Sequence, residues 1–307
     1  MADFERLHYT TVGHVTIDVL EDGSRRPGGA AFYSALQAAR LGASAAIVTC
    51  GVVGEIEALL EPFAEELELR ISPAPETTTL STSGAGVSRK QRVLAWAGPL
   101  PEDLELGGGI LHLAPVAREL PRRWNGRARF LGLTPQGLVR RWSGPGGEIT
   151  LAPFAAAERD ESSSTAPRTG EARTGSAALL GLAARCNAIV ASEDEQPWCA
   201  DLMASAGAGG AVVAVTAGPH PTTITCPDGA VIEVEVPPVR DAVDDLGAGD
   251  VFSAAFFLAL ADGRSAELAA AFANAAAAVR MLGSGAGAIG RREAIESRLQ
   301  VDARPRG

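Results

Sequence analysis

The chain has 307 residues, 46% apolar and 21% charged, with a formal net charge of −10, proportions of a globular protein that exclude fibrous and disordered classes. A negative balance with scattered arginines argues against a nucleic-acid surface, so a small-molecule partner is expected. Of the 27 basic residues only Lys90 is a lysine; without G-x-x-x-x-G before it or Ser or Thr after it, a Walker A loop is excluded.

In chain order, Tyr9 to Val19 reads as a first strand, Ala31 to Leu41 as a helix ended by Gly42, and Ala45 to Cys50 as the next strand. Thr77 to Ala97 is a strand, a Ser-Gly-Ala-Gly turn and a second strand, a hairpin set into an α/β body. With residues near 14–27 it is expected to form a small sheet covering a site. Leu111 to Leu113, Phe130 to Leu133, Ala188 to Ala191 and Ala211 to Thr216 are apolar runs suited to strands covered on both faces. Residues 158–175 lack apolar periodicity and read as a flexible surface loop. Asp250 to Leu260 and Ala266 to Leu282 read as helices buried against the sheet. The expected fold is therefore α/β, with a central, mainly parallel sheet.

Cysteines 50, 186, 199 and 226 show no C-x-x-C and no histidine at metal-ligand spacing, and read as reduced and buried. The start Met1-Ala2-Asp3-Phe4-Glu5-Arg6 lacks the order of a signal peptide. The apolar run Val251 to Ala261 is too short to span a bilayer, so a cytoplasmic protein without a membrane partner is expected.

The sharpest motif is Asp244-Asp245-Leu246-Gly247-Ala248-Gly249-Asp250-Val251-Phe252. Small residues admit close approach of a ligand, and the first amides of the following helix lack intrahelical acceptors, so the turn can hold a phosphate. Asp250 is placed either to cap this helix, worth about 1 kcal/mol, or to take a proton from an attacking hydroxyl.

This segment resembles the D-T-x-G-A-G-D-x-F signature of the ribokinase-like (PfkB-type) carbohydrate kinases, with Asp245 where Thr is usual. Val12-Gly13-His14-Val15-Thr16-Ile17-Asp18, Gly28-Gly29-Ala30-Ala31-Phe32-Tyr33-Ser34, the lid-like Thr77 to Thr79 with Arg89-Lys90-Gln91, and Thr134 to Arg140 follow in the order of that family. The resemblance implies one three-layer ribokinase-like domain over residues 1–307, with a β-sheet lid from about 14–27 and 77–97. It makes Asp250 the catalytic base, and Gly247, Ala248 and Gly249 the holders of the transferring phosphoryl group. Asp18, Gly28, Gly29, Ser34, Arg89, Gln136 and Arg140 are then expected to bind substrate, and Lys90 to be a lid residue.

On the donor side the resemblance points to Ser192, Thr216, Gly218, Asn274 and Gly285 around ATP. Glu195 would hold Mg²⁺ through water, and Asp244 with the Leu246 carbonyl would form a monovalent-cation site for K⁺. Asn274, polar within an apolar helix, needs a partner, either another helix or a base. The implied reaction is phosphoryl transfer from ATP to a hydroxyl of a sugar or a cyclitol such as inositol. A nucleoside kinase, or a ligand-binding paralogue without turnover, is the alternative. A homodimer through the lid strands is a further expectation.

Overall fold

The computed structural model describes residues 7–84, 88–102, 104, 106–121, 127–154 and 169–302. The strands in chain order are β1 (His8–Val12), β2 (Thr16–Val19), β3 (Arg25–Gly28), β4 (Ser44–Gly51), β5 (Leu67–Pro73), β6 (Thr79–Ser83), β7 (Lys90–Ala95) and β8 (Gly107–Leu113). They continue as β9 (Arg127–Leu133), β10 (Arg140–Arg141), β11 (Gly147–Glu148), β12 (Thr150–Leu151), β13 (Ala188–Ser192), β14 (Val212–Ala217), β15 (His220–Thr225) and β16 (Val231–Val234). The helices used below are α1 (Ala30–Arg40), α2 (Val53–Leu60), α3 (Gln136–Val139), α4 (Thr169–Ala183), α5 (Gln196–Ala208), α6 (Ala248–Ala261), α7 (Ala266–Arg280) and α8 (Arg292–Asp302).

The continuous apolar runs become interior strands of a nine-stranded sheet ordered β16-β15-β14-β13-β9-β8-β1-β4-β5. Pairing is parallel from β14 through β5 and antiparallel across β14-β15-β16. On one face α1, α6, α7 and α8 bury Leu36, Phe256, Phe257, Phe272 and Ile295. On the other, α4 and α5 bury Leu182, Cys199, Leu202 and Met203. This gives the three layers expected of the fold. The four cysteines are free, and Cys50, Cys186 and Cys199 are buried.

A second sheet, β11-β7-β6-β2-β3, forms the expected cover. It divides the expected strand Tyr9 to Val19 in two, because Gly13-His14-Val15 leaves the main ladder. A Cβ on Gly13 would lie 2.2 Å from the Ala114 carbonyl oxygen. The amides of His14 and Val15 donate to Glu119 Oε1 (2.8 Å) and Thr49 Oγ1 (2.9 Å), so side chains replace the ladder there. The chain then crosses to the small sheet as β2. Within the loop expected over 158–175, residues 158–168 lie outside the described residues, and 169–175 belong to α4. The Ala- and Leu-rich end of α4 buries Leu182 and Ala183, and that packing favours helix over loop.

Candidate active site

The 244–247 turn delivers the start of α6 to a cavity that Leu80 and Gln91 of the small sheet also line. Gly247 has φ 81°, and a Cβ there would lie 2.5 Å from the Tyr33 ring, so glycine is required by both conformation and space. The Ala248 amide donates to the Asp245 carbonyl (3.1 Å) and the Val251 amide to that of Gly247 (3.0 Å). Among the described residues, the amides of Gly247, Gly249 and Asp250 make no backbone hydrogen bond. Of the expected trio Gly247, Ala248 and Gly249, the Ala248 amide is thus committed to closing the turn, and the Asp250 amide is left open beside those of the two glycines. Partial positive charge at this helix end favours an anion.

A cavity of about 130 Å³ lies above the turn, with Asp18, Arg89, Gln91, Gln136, Arg140 and Asp250 among its lining. Burial raises the Asp250 carboxyl to a pKa of about 7; Arg140 and Arg89 oppose that rise, and Glu195 and Asp18 add to it. Asp18 is 2% exposed. Its pKa is likewise raised by burial, against the pull of the Thr16 hydroxyl, which donates to it at 2.8 Å, and of Arg26, Arg140 and Arg89. Gly28 makes room for this carboxylate, since a Cβ there would fall 2.2 Å from Asp18 Oδ2. Gly29, at φ 94°, lines the cavity at the start of α1.

Arg140 donates to the Val116 carbonyl and to Gln91 Oε1, both at 3.0 Å, which fixes its guanidinium over the cavity. Its pKa is lowered by burial, a shift that Glu195 and Asp250 resist. Arg89 reaches from the lid to pair with Asp245, which accounts for a carboxylate at the position where the signature has Thr. Lys90 is exposed at the start of β7, away from the cavity lining. Ser34 departs from expectation: its hydroxyl donates to the Asp250 carbonyl (3.1 Å), tying α1 to α6 rather than lining the cavity.

On the donor side, Ser192 and Thr216 are register partners at the ends of β13 and β14. The Ser192 amide donates to Glu195 Oε2 (3.2 Å) and the Glu195 amide to Ser192 Oγ (3.3 Å), a reciprocal pair across the turn that leads into α5. Gly218 turns the chain at φ 57° between β14 and β15. Asn274 resolves toward packing: it accepts from Thr222 Oγ1 (2.9 Å) and donates to the carbonyls of Val234 (3.2 Å) and Glu235 (3.1 Å). Its amide is used within the protein, so a base contact from it is not what the geometry provides. The Gly285 amide donates to Asp244 Oδ2 (3.1 Å) rather than facing a nucleotide.

Asp244 and the Leu246 carbonyl do converge, as a cation site requires, but on the guanidinium of Arg280. The expected K⁺ site is therefore filled by protein. Arg280 and Gln91 are the site residues to which sequence reasoning gave no role. A polar side chain in an otherwise apolar stretch was the available signal for Arg280, the same signal that singled out Asn274 on that helix.

No curated protein sequence matches the chain. Residues 186–291, which contain the 244–250 turn, match the family described as pfkB family carbohydrate kinase. Among solved structures, a pyrophosphate-dependent kinase in the ribokinase family, complexed with a pyrophosphate analog and myo-inositol, is 20% identical. It superposes with a TM-score of 0.69 over 94% of this chain and 99% of its own. The fructokinase double mutant from Vibrio cholerae O395, bound to fructose, ADP and potassium ion, is 17% identical, with a TM-score of 0.69 over 97% and 99% of the two chains. Ribokinase from Thermotoga maritima is 19% identical, with a TM-score of 0.65 over 96% and 99%. These likenesses establish the ribokinase-like fold, in agreement with the resemblance read from the sequence.

Proposed function

For a chain of ribokinase-like fold whose residues 186–291 match the pfkB carbohydrate-kinase family, we propose an ATP-dependent phosphotransferase acting on a hydroxyl of a small polyol, a sugar or a cyclitol such as inositol. The observation that carries this reading is Asp250: a carboxyl of pKa about 7, in a polar-lined cavity, beside amides free to hold a phosphate. A base tuned near the working pH is suited to general-base catalysis, worth about 10²- to 10⁴-fold in rate.

Asp18, Gln91 and Gln136 offer hydrogen-bonding partners to a polyhydroxylated acceptor. Asp250 takes the proton of the attacking hydroxyl as its oxygen bonds to the γ-phosphorus. The bond to the bridging oxygen breaks, and ADP leaves with that electron pair. The Gly247, Gly249 and Asp250 amides, with Arg140, face the charge on the transferring group. Such a transition state asks mainly for positioning and electrostatics, which this lysine-poor site supplies.

No cluster of three or more His, Cys, Asp or Glu able to hold a metal occurs among the described residues. That fits Mg²⁺, which binds commonly through one or two carboxylates, waters and substrate phosphates. Glu195, close enough to influence Asp250, is the residue to hold it through water. Bound there with the donor phosphates, magnesium supplies charge neutralisation.

The polyol reading is favoured over a nucleoside acceptor by the aromatics. Phe32 is fully buried against Phe63 and Tyr33, and Tyr33, 1% exposed, has its ring against Gly247, so neither ring of this pair stands out from the cavity wall to stack a base. The test is product formation on a panel of sugars, cyclitols and nucleosides, with ATP and with pyrophosphate as donors. Transfer to a polyol from ATP supports the reading. Transfer only from pyrophosphate corrects the donor, transfer only to nucleosides corrects the acceptor, and donor binding without transfer to any acceptor supports the non-catalytic paralogue.

A further inference from the structure

Arg280 closes α7 and has a side chain with 0% exposure. Its Nη1 donates to the carbonyls of Asp244 (3.2 Å) and Gly283 (3.0 Å). Its Nη2 donates to the Leu246 carbonyl (2.6 Å) and to Asp244 Oδ2 (3.0 Å). Three backbone carbonyls and a carboxylate turned toward one buried point form an oxygen set that replaces the hydration shell of a monovalent cation. Here the cation is covalently part of the chain, and its planar fork satisfies all four oxygens at once.

The surroundings are built for this charge. Asp244 Oδ2 also accepts from Arg26 of β3 (3.2 Å) and from the Gly285 amide, while Oδ1 accepts from the Leu246 amide (3.0 Å). Burial alone would raise the Asp244 pKa; the Leu246 and Gly285 amides and Arg280 outweigh it and hold the carboxyl at about 2, so Asp244 stays ionised across the working pH. The Arg280 guanidinium carbon lies 5.6 Å from the centre of the Tyr33 ring, the ring against which Gly247 packs. A chain of contacts thus runs from the guanidinium through Asp244, Leu246 and Tyr33 to the phosphate-holding turn.

We propose that Arg280 is a built-in substitute for an exchangeable monovalent cation, a positioning residue that holds the 244–247 turn in its anion-binding shape and makes it independent of added potassium. An added ion does not fit, because each oxygen that would bind it is already turned to a guanidinium N–H. The occupancy stands on the geometry alone; its consequence for turnover rests on the phosphotransferase reading.

The experiment compares wild type with Arg280→Ala in chloride salts of potassium, sodium and tetramethylammonium at equal ionic strength, and with dilute guanidinium added. Thermal midpoint is one readout and phosphoryl transfer the other, so the first arm remains readable if no acceptor is found. The wild-type midpoint should be the same in all three salts. The variant's midpoint should be lower and should recover with potassium or guanidinium but not with tetramethylammonium. Its kcat should fall by roughly 10²-fold, the scale for losing an oriented anion-hole donor, and recover with the same two cations. A wild-type midpoint or kcat that depends on potassium over tetramethylammonium overturns the proposal. So does a variant that responds alike to every salt, which would mark Arg280 as packing only. If Arg280→Ala does not fold, Arg280→Lys takes its place; equal, salt-insensitive midpoints for Lys and Arg support a cation requirement, and a potassium-specific gain in wild type refutes it.

Discussion

At the scale of single residues the proposed chemistry turns on Asp250, whose raised pKa would couple activity to stability. The folded chain holds this proton more tightly than an unfolded chain, where an aspartate titrates near 3.8. Stability from this group is therefore present below about pH 4, is lost as pH rises toward 7, and stays lost above it. Catalysis needs the ionised form, so kcat/KM should fall about tenfold per pH unit below an apparent pKa near 7, measured with acceptor and donor well below KM. Asp250→Asn should lower kcat by at least about two decades and raise the thermal midpoint at pH 8, by the equivalent of on the order of 1 kcal/mol. An Asp250→Asn protein with near-normal turnover would refute the base assignment, and one that is less stable at pH 8 would refute the burial cost. The residue itself was legible from Gly-Ala-Gly-Asp. Its tuning was not, because the burial and the Arg140 and Glu195 charges that set it come from β10 and the start of α5, far away in sequence.

Between elements, the 244–247 turn is gripped from two sides, by Arg280 beneath and by the lid above. Arg89 on the lid pairs with Asp245, their side chains 24% and 29% exposed, an exposure at which an ion pair contributes up to about 1 kcal/mol. Arg89→Ala should therefore raise the acceptor KM about fivefold, the rate equivalent of that energy, with kcat changed much less; the reverse split would make Arg89 part of the chemistry. Gly247→Ala tests the turn itself: the new methyl meets the Tyr33 ring in a left-handed conformation, and should destabilise by about 1–3 kcal/mol in thermal unfolding. Sequence pattern revealed the hairpin and both apolar helices, because alternation and helical period are local. It assigned residues from about 14 to the small sheet, yet ran one strand from Tyr9 to Val19, because nothing local in Gly13-His14-Val15 marks the break between β1 and β2. Only long-range acceptors, Glu119 and Thr49, pull that stretch from the ladder.

For the whole molecule, the order of strands and helices was legible through the motifs, but the way the layers lock together was not. Phe257 of α6 shows why: it is fully buried, its ring 4.9 Å from that of His112 and 5.9 Å from that of Phe130, and Gly132 on β9 is bare because a Cβ there would lie 2.5 Å from it. A glycine in β9 and a phenylalanine some 120 residues later are meaningful only as a pair. Phe257→Ala should open a cavity under the sheet and lower stability by about 3–5 kcal/mol. Leu182→Ala, in the core on the opposite face, should cost about 2–5 kcal/mol. The two residues belong to separate buried clusters, so their effects should add within about 0.5 kcal/mol in denaturant titrations of the single and double variants. A larger deviation would mean that the nine-stranded sheet transmits strain from one helical layer to the other. In that event substitutions in the layer of α4 and α5 should also shift the pH dependence set by Asp250 on α6.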